Sequence, residues 1–163
     1  LPIMKLLLGS RNSLNDRIEF FKTQVLFWML AAIDGHAKNF SLFLEPEGRF
    51  VLTPVYDVMS AYPVMGHSSY KLSPEKVRMA MAVHGKNRHY RWKNICARHW
   101  MRTAGLSGLN EKTVQEIMIE LAEKTREVID IVSAQLPADF PPVVADIIFK
   151  GLEETSERLT EFD

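Results

Sequence analysis

The 163 residues include a single cysteine, Cys96, so no internal disulfide can staple the fold. That absence points away from a small secreted scaffold and toward a reducing compartment; the cytoplasm is the expected setting. No apolar run approaches the ~20 residues that a membrane span requires. No signal-peptide pattern opens the chain, which begins at Leu1 and not at methionine. Net charge is also missing: 20 basic side chains cancel 20 acidic ones, so overall charge selects no partner. There is no internal repeat and no low-complexity segment. What remains is ordinary for one globular domain with a sizeable core, at 47% hydrophobic and 25% charged residues.

A further absence is local. From Lys76 to Arg102 there is no Asp or Glu, yet Lys76, Arg78, Lys86, Arg88, Arg91, Lys93, Arg98 and Arg102 all stand there. From Glu111 onward acids dominate. The zero net charge is thus a cancellation of two unlike halves. The basic stretch 76–102 invites a nucleic-acid reading. The simpler reading, preferred here, is a solvated helix face balanced by the later acids.

Helical spacing of Ile18, Phe21, Val25, Trp28 and Met29 predicts a helix over 13–33, with Ser13 as cap and Asp16 in its first turn. Its wholly apolar tail, Val25 to Ile33, should be buried at the centre of the domain. Asp34-Gly35-His36-Ala37-Lys38-Asn39 then reads as a loop. Residues 40–44 and 49–53 read as strands joined by the turn Glu45-Pro46-Glu47-Gly48, a β-hairpin over 40–53. Residues 54–60 carry Asp57. Residues 62–74, with two prolines, a glycine and three serines, predict a mobile loop. The rest is expected to be helical, over 75–83, 90–104, 111–135 and 139–160. The fold class expected is mainly α with one small hairpin.

The informative unit is an Asp, an Asn five positions later, a hairpin and a second Asp: Asp34, Asn39, Asp57. Phosphoryl transfer from Mg-ATP needs one carboxylate to accept the proton of the attacking hydroxyl. It also needs hard oxygen ligands to hold magnesium against the phosphates. Protein kinases place the first Asp and the Asn in one loop, with the metal-binding Asp after a short pair of strands. A hairpin between them returns the chain, so that two residues far apart in sequence can reach one ion. Asp34, Asn39 and Asp57 should therefore converge on one cleft.

The wording departs from ordinary kinases: no His-Arg-Asp precedes the loop, and Asp57 is not followed by Phe-Gly. Instead "FWMLAAIDGHAKNFSLFL" and then "LTPVYDVMSAYPV" resemble the signature of the HipA family. "ARHWMRTA" and "LPADFP" are also similar to HipA proteins, so the resemblance runs over essentially all of residues 1–163. It implies the C-terminal lobe of a two-lobed, kinase-like fold. It implies an ATP- and Mg2+-dependent serine/threonine protein kinase, the growth-arresting toxin of a toxin–antitoxin pair. Asp34 would be the catalytic base, and Asn39 and Asp57 the magnesium ligands. His36 and Lys38 would shape the loop or touch the phosphates. The implied partners are a HipB-like antitoxin repressor, operator DNA through that complex, and a protein substrate, for which some members use an aminoacyl-tRNA synthetase. In this family the phosphate loop and strand lysine precede the region seen here, and Leu8-Gly9-Ser10 offers only a lone glycine. The nucleotide lobe is expected to be absent and the chain alone inactive. The competing reading is an incomplete site whose work is to bind the antitoxin and DNA.

Plainer roles are expected elsewhere. Tyr56 should pack beside Asp57, and Trp28, Trp92 and Trp100 should be core aromatics. Cys96 should lie inert on an apolar helix face, and Met79-Ala80-Met81 should serve packing. An exposed apolar patch is expected near residues 1–12 and the hairpin, where it would promote self-association.

Overall fold

The computed structural model describes residues 1–162. Its architecture is helix-rich with two separate antiparallel hairpins. Five α-helices run over Pro2–Leu6 (α1), Ser13–Met29 (α2), Ala97–Leu106 (α3), Glu111–Gln135 (α4) and Pro142–Leu159 (α5). Leu42–Leu44 (β1) pairs with Phe50–Leu52 (β2), and Arg78–His84 (β3) with Arg88–Arg91 (β4).

The central helix α2 buries Phe20, Phe21, Val25, Phe27, Trp28 and Met29. Its end is set by tertiary contacts, and this is why it stops at Met29 and not at Ile33. The Met29 carbonyl receives the Tyr62 hydroxyl at 2.7 Å and the Thr155 hydroxyl at 3.0 Å. The Leu30 carbonyl accepts from the Ser60 hydroxyl at 2.6 Å. Carbonyls that a helix end would otherwise orphan are thereby satisfied. Ala31 then turns left-handed, with φ 48°, and redirects the chain into the loop. Its carbonyl accepts the Ala61 N–H at 3.1 Å.

Trp28 and Trp92 lock α2 to the segment before α3. Each indole N–H donates to the other's carbonyl, at 3.1 and 2.8 Å. The guanidinium of Arg158 lies over both rings and donates to the carbonyls of Lys93 and Ile95. All three tryptophans are buried, as expected. Helices α3, α4 and α5 pack in sequence against one another, and α2 packs on α4 and α5.

The helix expected over 75–83 is instead β3, and the one expected over 90–104 begins as β4 and turns helical only at Ala97. Burial alternates over Val77, Arg78, Met79 and Ala80, a period of two, before the register shifts ahead of buried Val83. Methionine and alanine favour helix intrinsically, but tertiary packing overrides that weak preference. The Ala80 N–H donates to the Ile33 carbonyl at 3.0 Å, and the His84 N–H to the Thr103 hydroxyl at 2.7 Å. These bonds dock the second hairpin between the loop entrance and α3. Cys96 is likewise not on a helix face: it is the N-cap of α3, its N–H donating to His99 Nδ1 at 3.3 Å. Segment 62–74 is tied down by a buried Tyr62 and a bridge between Met65 and Leu72. Among the described residues no helix is long and apolar enough to cross a membrane.

Candidate active site

The loop after α2 is seated by aromatic contacts. Phe40 packs against Phe20 and Phe27, with ring centroids 4.8 and 5.8 Å away. Gly35 lies close against the Phe27 ring. A Cβ there would fall 2.1 Å from a ring carbon, so no other residue fits without movement. His36 then opens a helical turn, Ala37–Asn39, and its N–H donates to Asn39 Oδ1 at 3.0 Å. The buried Nδ1 of His36 makes no hydrogen bond of ordinary geometry.

The hairpin β1–β2 carries the chain back to this loop. Asp16, buried in the first turn of α2, fixes it there: its carboxylate accepts from the Ser10 hydroxyl and from the Leu52 N–H, the latter at 2.8 Å. Tyr56 adds a second tie. Its hydroxyl meets Ser41 Oγ at 2.7 Å and donates to the Lys38 carbonyl at 3.1 Å. Tyr56 is thus a clasp between loop and return strand and not the packing residue expected from sequence.

These ties deliver Asp57 to Asn39. The Asn39 amide donates to Asp57 Oδ2 at 2.5 Å across 18 residues of chain. Asn39 is buried and Asp57 exposed. Asp57 takes φ 58°, a left-handed conformation that costs a non-glycine residue about 1–2 kcal/mol. Asp34 is exposed, and no hydrogen bond or ion pair among the described residues engages its carboxylate. Lys38 is exposed on the same turn. The structure therefore brings Asn39 and Asp57 into contact. Asp34, His36 and Lys38 lie on the loop that carries Asn39. Sequence reasoning missed Asp16, Ser41 and Gly35; an Asp in a helical first turn and a glycine in a loop carry signals too common to single them out.

A family model for the HipA-like C-terminal domain matches residues 2–129. The chain belongs to that family. The fold of the HipA-like domain matches a chain of the Shewanella oneidensis MR-1 complex of HipA, HipB and operator DNA, with a TM-score of 0.79 at 19% identity. The match covers 98% of the chain and 35% of the Shewanella chain, so the chain spans about a third of that protein's length.

Among the described residues no three or more His, Cys, Asp or Glu side chains gather as a metal site. The candidate donors are different in kind: the Asp57 carboxylate and the Asn39 amide oxygen. That oxygen-only set suits Mg2+, which usually takes one or two carboxylates and leaves its other positions to water and phosphate. Asp57 Oδ1 is uncommitted, and Asn39 Oδ1 keeps a second lone pair beyond the His36 N–H. The residues present fit the ion.

Proposed function

We propose that the domain is the catalytic lobe of an ATP-dependent serine/threonine protein kinase of a toxin–antitoxin system. The observation that carries this reading is the Asn39–Asp57 contact, made across the hairpin and held with a left-handed Asp57. A strained residue held by its surroundings at a polar cluster marks a functional position.

Asp34, exposed and free of internal partners, accepts the proton of a substrate hydroxyl at a carboxylate oxygen. Asn39 and Asp57 hold Mg2+ through oxygen. When bound, the ion neutralises charge on the nucleotide's phosphates. Asn39 also holds Asp57 through its amide, so the two act as one unit. His36 shapes the turn through its N–H, and Lys38 contributes an exposed cation on the same turn that would approach phosphate. The phosphate loop and strand lysine that complete an ATP site are assigned to protein beyond this domain. A HipB-like antitoxin, operator DNA reached through that partner, and a protein substrate are the proposed partners. The DNA-bound complex of the Shewanella relative supports the first two. An aminoacyl-tRNA synthetase is the substrate class the resemblance suggests.

The test is phosphate incorporation from Mg-ATP by the natural gene product that carries this domain, followed by mass. A gain in the wild type that is lost in Asp34→Asn supports the kinase. No gain in either, together with no ATP binding, would favour an interaction subunit.

A further inference from the structure

A cavity of about 400 Å3 opens on the side of the domain where α1, α2, α3 and the β3–β4 hairpin meet. Its size lies within the ~300–1,000 Å3 usual for small-ligand sites. The walls are mostly apolar, with Ile3, Phe20, Phe21, Met81 and Trp100 among them. Two polar groups in this wall lack partners. Trp100 is 2% exposed, and its indole N–H, which can only donate, has no acceptor. The buried Gln24 amide nitrogen is in the same position. Buried donors left unpaired cost stability, which an acceptor brought by a ligand would recover.

The mouth of the cavity is cationic. Arg88 and Tyr90 line it and also line a second, polar pocket of about 240 Å3, together with Arg78 and Arg91. These three arginines are exposed, but they are not balanced by acids as expected of this stretch. No ion pair among the described residues engages any of them. Glu116, Glu120, Glu153 and Glu154 of α4 and α5 pair instead with cations of α2, α4 and α5. Arg78 and Arg91 even face each other directly across the hairpin, a like-charge pairing that costs stability. The Arg78 guanidinium is held over the Tyr90 ring, 5.2 Å from its centroid.

An apolar chamber with unpaired donors, opening onto uncompensated arginines, has the chemistry of one ligand class. We propose that the two adjoining pockets bind a small amphipathic anion, with an alkyl or aromatic body in the cavity and a carboxylate or phosphate head on Arg88 and its neighbours. Ala37, the first residue of the turn that carries Asn39, is part of the cavity wall, so the ligand would sit directly behind the candidate active site. The proposal rests on the pockets and not on the kinase reading, and its test reads binding.

The probes are decanoate and decyl phosphate, titrated calorimetrically into the full chain, with decanol and inorganic phosphate as body-only and head-only controls. One or both amphiphiles should bind, about tenfold or more tighter than either control. The tighter amphiphile identifies the head group. Arg88→Gln, at an exposed position, should weaken binding about tenfold without unfolding the domain. Ala82→Phe, which fills the cavity, should weaken it as well. Failure of both amphiphiles to bind would overturn the proposal. So would decanol binding as tightly as decanoate, or binding unchanged by both substitutions.

Discussion

Asp34 carries a carboxylate that the rest of the domain leaves alone. That isolation separates its chemistry from the fold. Asp34→Asn should leave thermal stability within about 0.5 kcal/mol of the wild type. It should lower phosphate transfer about 10²–10⁴-fold, the span typical of a lost general base. Melting curves and a mass time course check the two halves. Gly35 makes the opposite case. Gly35→Ala puts a carbon into the Phe27 ring, an overpacking expected to cost about 1–3 kcal/mol in a denaturant titration. At this scale the sequence was legible where residue type and spacing coincide. The spacing of Asn39 and Asp57 about a hairpin foretold their contact. Tyr56 and Asp16 were not legible as positioning residues, because their partners, Ser41, the Lys38 carbonyl and the Leu52 N–H, are distant in sequence or belong to the backbone.

The elements show where local propensity gives way. The first hairpin was readable because Glu45-Pro46-Glu47-Gly48 punctuates it, and Glu47 and Gly48 do take positive φ. Helix α4 was readable from its apolar stripe and its Asn110 cap, which accepts the Thr113 N–H at 3.2 Å. The second hairpin was hidden by Met and Ala, whose helical preference masks an alternation only the packed structure enforces. Its attachment to α3 brings a titration. His99 is buried in α3 and stacks on His89 of β4, with centroids 3.9 Å apart. Burial first, then the nearby His89 and Arg98, push the His99 pKa below its ordinary 6.5. Burial and the nearby Arg88 do the same to His84. A histidine kept neutral in the folded state takes up a proton on unfolding. Stability should therefore fall as pH drops below about 6.5 toward the lower folded values. Melting temperature should drop between about pH 7.5 and pH 5.5, and His99→Gln should shrink that drop even if it lowers both values.

Over the whole molecule, the apolar surface expected near the N-terminus and first hairpin is present. Leu6, Leu8, Leu14, Phe43 and Leu44 are all exposed. The two regions adjoin, since the Arg11 N–H donates to the Phe50 carbonyl and Gly9 lies against the Phe50 ring. Such a patch favours association. Sedimentation of the domain should show mass rising with concentration, and Leu8→Glu with Leu44→Lys should reduce it. The cancellation of charge also reads differently in three dimensions. The acids after Glu111 that form ion pairs do so with cations of α2, α4 and α5 and do not answer the cations of the second hairpin, a distribution that net charge conceals.

If Asn39 and Asp57 work as one unit, a double-mutant cycle on phosphate transfer by the natural gene product shows it most directly. Asn39→Ala and Asp57→Asn should each lower the rate about 10²-fold or more. The double variant should be little worse than the more damaging single one, because residues acting as a unit are strongly non-additive. Losses that simply multiply, or a single variant with wild-type rate, would contradict the pairing on which the site is built.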